Sequence, residues 1–310
     1  MASETLPWVI QLQIIEISIK NDSSMNILLR SVSKAYYKQI QLIKNNRVMY
    51  ELVDLMIAVT DNNFENTLFY LEKINYLKLW KNTICYICSK NNKFEVLKWA
   101  RQNGYVWTVN TCSAAANNGN FELLKWARKN GCPWNEETCT NAAKKGYLEI
   151  LKWAHENDCP WDCSVCVYAA FNGHLEVIKW AHENGCPWND ETCLAVAGSG
   201  HLEILKWAHK NGYRLHEKIC TAAARMGHLE VIKWAHENGY SWDPTTCSVA
   251  AYNGHFEVLK WIRQNGCDWG DEKTCSYAVK QGHLEIFKWA RENGCPFADT
   301  DNFNALLEEK

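Results

Sequence analysis

No apolar stretch in this 310-residue chain reaches the roughly 18 residues that a membrane-crossing helix needs. A spanning segment is therefore not expected. Charge of one sign is also missing. The 33 Lys and Arg stand against 35 Asp and Glu, and a net charge of −2 gives no field that would draw in nucleic acid. The opening residues, Met1-Ala-Ser-Glu-Thr-Leu6-Pro-Trp8, hold no basic start and no uninterrupted apolar segment, so a secretory signal is not expected either. No glycine-rich phosphate loop is present. Fifteen cysteines would mark a disulfide scaffold in a small secreted domain, but the length and context here are wrong for one.

What the chain does have is a period. Tryptophan returns at a constant interval of 27, at Trp99, Trp126, Trp153, Trp180, Trp207, Trp234 and Trp261, then after one interval of 28 at Trp289. Around each stands a version of G-H-L-E-V-L-K-W-A-H-E-N-G, clearest at Gly173 to Gly185 and Gly227 to Gly239. A period in this range marks a solenoid, in which no unit buries its apolar face alone and neighbours stack into one continuous core. The expected fold is all-α, a stack of helix-turn-helix units.

One unit reads as a helical hairpin. In Glu191-Thr-Cys-Leu-Ala-Val-Ala-Gly-Ser-Gly200 a short helix begins near a capping Thr or Glu and stops at a glycine suited to a left-handed C-terminal position. The second helix, His201-Leu-Glu-Ile-Leu-Lys-Trp-Ala-His-Lys210, carries an apolar stripe at helical spacing and ends at Asn211-Gly212. The link Cys186-Pro-Trp-Asn-Asp190 is too short to do anything but place consecutive hairpins side by side. Alanine pairs such as Ala169-Ala170 allow close approach of the first helices, and the tryptophans are expected to fill the space between layers. A nucleobase-stacking ladder is the alternative use of such rings.

The cysteines follow the repeat. Cys85, Cys112, Cys139, Cys166, Cys193, Cys220, Cys247 and Cys275 share one slot, and Cys132, Cys159, Cys186, Cys267 and Cys295 share a second, after the Asn-Gly turn. Only Cys88 and Cys163 lie outside both. Columns in a solenoid point inward, so reduced thiols acting as small buried hydrophobes are expected. The trio Cys159, Cys163, Cys166 has a zinc-like spacing and is the competing reading.

The unit resembles the ankyrin repeat over residues 82–298, about eight copies. The Ala169-Ala170-Phe171-Asn172-Gly173 end of the first helix matches the family's Ala-Ala-x-x-Gly, and Gly173-His-Leu-Glu-Val-Ile-Lys-Trp180 matches its G-H-L-E-V-V-K-L almost letter for letter. The unit departs in length, since so short an interval leaves no room for the family's projecting hairpin fingers. The short, Trp-rich form looks most like the ankyrin-like families of amoeba-infecting giant viruses. The resemblance implies a non-enzymatic binding scaffold with a protein partner.

Some columns are constant and others are free. Each repeat pairs a Glu with a Lys three residues on, from Glu95 and Lys98 to Glu285 and Lys288, which reads as a solvated helix face. A His or Arg column follows: Arg101, Arg128, His155, His182, His209, His236, Arg263 and Arg291. It is expected to be exposed, with metal binding or joint titration of its histidines as the sharper reading. The column His174, His201, His228, His255, His283 resembles the family's structural turn histidine. The two positions before the helix-ending glycine vary from repeat to repeat and correspond to those with which ankyrin proteins commonly contact partners along the concave face. Asn117, Lys144, Lys145, Phe171, Asn172, Arg225, Met226, Tyr252, Asn253 and Lys280 are the partner-binding candidates on this ground. Drift at tolerant surface sites is the bland account of the same variation.

Residues 1–47 obey other rules. Leu6-Pro7, an Ile-rich segment through Ile10, a polar Lys20-Asn-Asp-Ser-Ser24, and Leu28-Leu29-Arg30-Ser31-Val32-Ser33-Lys34 resemble an F-box, although Trp8 replaces the usual acidic residue. The resemblance implies that Leu6, Pro7, Ile10, Val32 and Ser33 dock a cullin-type ubiquitin ligase linker. A plain helical cap is the alternative. Residues 48–81 read as a degenerate capping repeat and 299–310 as a C-terminal cap or tail.

The expected function is thus a protein-interaction adaptor, a monomer in the cytoplasm, of the host cell if the chain is viral. Without a linker-binding N-terminus it would be a plain scaffold that sequesters a host or viral protein. A metal- or nucleic-acid-binding solenoid is a third reading. No catalytic residue, cofactor site or metal ligand is expected, since the repeated His, Cys and Glu fall in columns and form no singular constellation.

Overall fold

The computed structural model describes residues 83–243, 245–270 and 273–297. These belong to one compact unit, residues 78–310. Among the described residues there are sixteen helices and no strand, arranged as eight consecutive pairs. The first, or A, helices are Ile84–Lys90, Val109–Asn117, Glu136–Lys144, Ser164–Phe171, Asp190–Ser199, Ile219–Met226, Thr246–Tyr252 and Lys273–Lys280. The second, or B, helices are Phe94–Gln102, Phe121–Lys129, Leu148–Glu156, Leu175–Glu183, Leu202–Lys210, Leu229–Glu237, Phe256–Gln264 and Leu284–Glu292. The densest packing runs between A helices of successive repeats and between the two helices of a repeat. The expected N-terminal module at 1–47, the capping repeat at 48–81 and the tail at 299–310 lie outside the described residues.

Short helices of seven to ten residues are marginal alone, so packing must hold them. The A helices supply small residues that let backbones come close: Cys166, Ala169 and Ala170 are at most 1% exposed. The B helices supply bulk. Val177, Ile178 and Ala181 are buried, as are Ile204, Leu205 and Ala208, so the buried stripe sits two and three positions before the tryptophan and one after it. Asn189 caps the A helix Asp190–Ser199 by accepting from the Thr192 N–H at 2.9 Å, so the cap lies just ahead of the Thr or Glu expected.

The tryptophan column corrects the sequence reading. Trp180 and its equivalents are only half-buried, because they lie on the edge of the apolar stripe rather than at its centre. They do meet the neighbouring layer. Trp126 stands edge-on to Phe94 of the preceding B helix at 5.5 Å and to Trp107 of the intervening link at 5.6 Å. Trp153 repeats this with Phe121 at 5.6 Å and Trp134 at 5.7 Å. The link tryptophans therefore have a packing role that the sequence did not announce.

The G-H step is a clasp between repeats. Gly173 has φ +77°, and a Cβ there would sit 2.6 Å from Cε1 of His201, so the imidazole of the next repeat lies directly beneath the glycine. His201 Nε2 donates to the Phe171 carbonyl at 3.1 Å, an assignment of the proton forced by an oxygen that can only accept. His174 with Lys144, His228 with Gly198, His255 with Arg225 and His283 with Tyr252 make the same bond at 3.0–3.2 Å. Tyr147 takes the imidazole's place beneath Gly119. The expected turn histidine is thus a tie to the repeat before.

Two substitution pairs test this arrangement by chemical denaturation. Ile178→Ala empties a fully buried position and should cost about 2–5 kcal/mol. Trp180→Ala should cost about half of the 3–5 kcal/mol of an enclosed ring. If the tryptophan change were the larger, the layer order described would be wrong. Gly173→Ala and Gly185→Ala carry the same left-handed strain of about 1–2 kcal/mol, yet a Cβ at Gly185 meets nothing within 4 Å. Gly173→Ala should therefore cost clearly more, and equal costs would remove the clasp.

Candidate functional site

The A helices end in the variable slots, and the clasp fixes their backbone while leaving their side chains free. Of the candidates, Lys144, Lys145, Phe171, Asn172, Arg225, Met226, Tyr252, Asn253 and Lys280 are exposed, and Asn117 is half-exposed. Phe171 is 60% exposed and Met226 56%, unusual figures for large apolar side chains. The side chains of Asn172 and Asn253 bend back to the carbonyls of Tyr168 and Val249, at 2.8 and 2.9 Å, and so behave as helix caps.

A second variable column was missed in the sequence. One helical turn upstream, the same face carries Asn141, Tyr168, Ala195, Ala222, Val249 and Tyr277. Tyr168 is exposed, and the Lys144 ammonium lies 5.6 Å from its ring centre. Tyr252 meets Tyr277 edge-on at 5.4 Å. The slots thus contact one another across repeats and form a strip. Variation beside a constant Cys and Ala-Ala was the signal that could have found this column.

The constant columns take other roles. Seven Glu–Lys pairs close at 2.6–3.5 Å on the B helices, their carboxylates mostly in solvent. The His or Arg column lies against aromatic rings. Arg128 stacks 3.9 Å over Trp134 and donates to the Cys132 carbonyl at 2.6 Å. His155 and His236 stack on Trp161 and Trp242 at 4.2 and 4.8 Å, while His182 and His209 face the hydroxyls of Tyr213 and Tyr240. These histidines are partnered within the repeat stack. Desolvation raises the phenols of Tyr213 and Tyr240 above their ordinary value.

Fourteen of the fifteen cysteines are buried, with Cys163 half-exposed. Burial pushes the thiols of Cys85 and Cys220 up to about 12, which holds them protonated. The zinc-like trio is divided: the Cys159 thiol donates to the Asn135 carbonyl at 3.4 Å and the Cys166 thiol to the Cys186 sulfur at 3.1 Å, so these two face different partners. Among the described residues no group of three His, Cys, Asp or Glu is placed to hold a metal, and no helix is long and apolar enough to cross a membrane. A recess of about 440 Å³ opens where Leu215 stands in place of a link tryptophan, bordered by Asp190, Arg214, His216 and Tyr240.

A model of ankyrin repeats (many copies) matches residues 139–182 and 219–263. Among solved structures, the human ASB11 ankyrin repeat domain is similar, at 17% identity and a TM-score of 0.45, covering 56% of this chain and 97% of that one. No curated protein matched the chain. Over these two stretches the repeats are similar to ankyrin repeats.

Proposed function

We propose that the chain is a non-enzymatic protein-interaction scaffold whose partner docks on the variable strip of the A helices. The observation that carries this reading is the union of a locked backbone with free side chains. The carbonyls of Lys144, Phe171, Arg225 and Tyr252 are tied down by the next repeat, while their side chains project into solvent. A preorganised platform loses little entropy on binding, and aromatic, Met and Arg side chains on it are the usual hot spots. Repeat identity can change at these slots without disturbing the stack.

In the finer proposal, residues 1–47 form an F-box-like module in which Leu6, Pro7, Ile10, Val32 and Ser33 dock a ubiquitin ligase linker. Residues 48–81 then cap the repeats of 82–298, and the adaptor works in the cytoplasm, delivering the bound protein to the ligase. These docking residues lie outside the described part of the chain, and the proposal rests on the Leu-Pro and Val-Ser-Lys matches alone.

Affinity capture with the full chain, followed by mass spectrometry, tests both levels. Alanine at Phe171, Arg225, Met226 and Tyr252 together should abolish capture of the repeat-bound partner with little change in thermal stability, each anchor being worth about 2 kcal/mol. Exchange of charges at Glu176 and Lys179 should leave capture intact. The opposite pattern would move recognition to the B helices. Recovery of a linker that depends on Leu6-Pro7 supports the ligase route, and its absence leaves a scaffold that sequesters its partner.

A further inference from the structure

The two cysteine columns meet. Cys166 Sγ donates to Cys186 Sγ at 3.1 Å, and Cys247 Sγ to Cys267 Sγ at 2.9 Å. Cys112 with Cys132, Cys139 with Cys159 and Cys275 with Cys295 occupy the same two slots of their repeats, and Cys139 Sγ donates to the Cys159 carbonyl at 4.0 Å. Both Cys166–Cys186 and Cys247–Cys267 join residues 20 apart in the chain, and the other three pairs keep that spacing. The single interval of 28 adds its extra residue between Cys267 and Cys275, outside the pair, so the spacing survives it. Cys85, Cys193 and Cys220 have no such partner in sequence, because Tyr105, Tyr213 and Tyr240 fill the second slot of their repeats.

We infer that these five dithiols are oxidation sites, each closing to an intrarepeat disulfide on reaction with a small dialkyl disulfide or an equivalent two-electron thiol oxidant. In the Cys166–Cys186 and Cys247–Cys267 pairs the sulfurs need to approach by only about 1 Å to reach bonding distance. Within the Cys166–Cys186, Cys247–Cys267 and Cys275–Cys295 pairs the roles are unequal. The hydrogen bond donated by the A-helix thiol lowers Cys186, Cys267 and Cys295 below the ordinary thiol value, and it raises Cys166, Cys247 and Cys275, which burial raises further. In these three pairs the post-helix cysteine is therefore the attacking thiolate. It displaces one thiolate from the reagent and forms a mixed disulfide. The A-helix thiol then loses its proton and attacks the protein-side sulfur, releasing the second reagent thiol. Two thiols of the protein have given up two protons and two electrons, and the reagent disulfide has become two thiols.

Each bridge ties an A helix to the link that leaves the same repeat, so it closes a hairpin whose two helices are otherwise held by packing. Cys166 lies on the A helix that ends in Phe171, so the oxidised state stiffens the platform that carries the variable strip. In the reduced state the same atoms form a relay, in which Cys166 donates to Cys186 and Cys186 to the Asp162 carbonyl at 3.5 Å.

The test uses the full chain, first reduced, then freed of reductant and exposed to 2-hydroxyethyl disulfide in the folded state. Free thiols are alkylated after unfolding, and the bridges are mapped by mass spectrometry. Five bridges are expected, each within one of the five pairs, while Cys85, Cys88, Cys163, Cys193 and Cys220 stay alkylatable. The thermal midpoint should rise by several degrees, as expected for closing such loops. Cys186→Ser should remove one bridge and leave Cys166 free. Tyr213→Cys should add a bridge to Cys193, a gain that no folding defect could mimic. Mixed disulfides that persist on single cysteines, bridges outside the columns, or an unreactive folded chain beside a reactive unfolded one would each overturn the inference.

Discussion

The imidazole that lies beneath the glycine of the preceding repeat sets the terms for the rest of the stack. At Gly173 the backbone must adopt a left-handed conformation to end one helix and start the next, and the missing side chain leaves a space that His201 fills. The ring then reaches past the glycine to the last A-helix carbonyl at Phe171, a group with no intrahelical partner of its own. One residue pair therefore ends a helix, sets the spacing of adjacent repeats and satisfies an orphan acceptor. Because the bond runs between neighbours, an isolated repeat lacks it, and stability has to be built pairwise along the array.

With the backbone held this way, the side chains divide into two kinds. Those that face neighbours vary little: the small residues and thiols on the A helices, the apolar pairs on the B helices, and the tryptophans that meet aromatic rings of the links. The Arg or His beside each link ring shows how a constant role can be met by different chemistry. Arg128 covers Trp134 as a cation and also binds a carbonyl, while His155 covers Trp161 as a flat ring. Side chains at the A-helix ends are held by no such constraint and are free to vary. Phe171, Met226 and Tyr252 keep large apolar surfaces in water at positions where the fold does not require them.

Much of the helical architecture was legible because a period constrains every repeat at once. The hairpin, its glycine stops and the inward cysteines all follow from columns that recur at one fixed interval. The depth of each column was less legible. Both Ile178 and Trp180 are apolar and lie on one stripe, but rotation about the helix axis puts the first at its centre and the second at its edge. The Asn189 cap and the meeting of the two cysteine columns depend on how the links fold back, which the period of the columns does not fix. For the candidate site, the two residues before each glycine were visible as variation between constant flanks. The column of Tyr168 and Tyr277 was not, since it appears only when the helical turn joins it to the slots.

The claim that neighbouring repeats are held together through the histidine clasp is tested most directly by amide hydrogen exchange on His201→Ala. The account requires faster exchange in Ser164–Phe171 and Leu202–Lys210, the two helices that the bond joins, with protection kept in Phe94–Gln102 and Leu284–Glu292 far from it. Unchanged exchange around Phe171, or an even loss of protection along all the repeats, would contradict it.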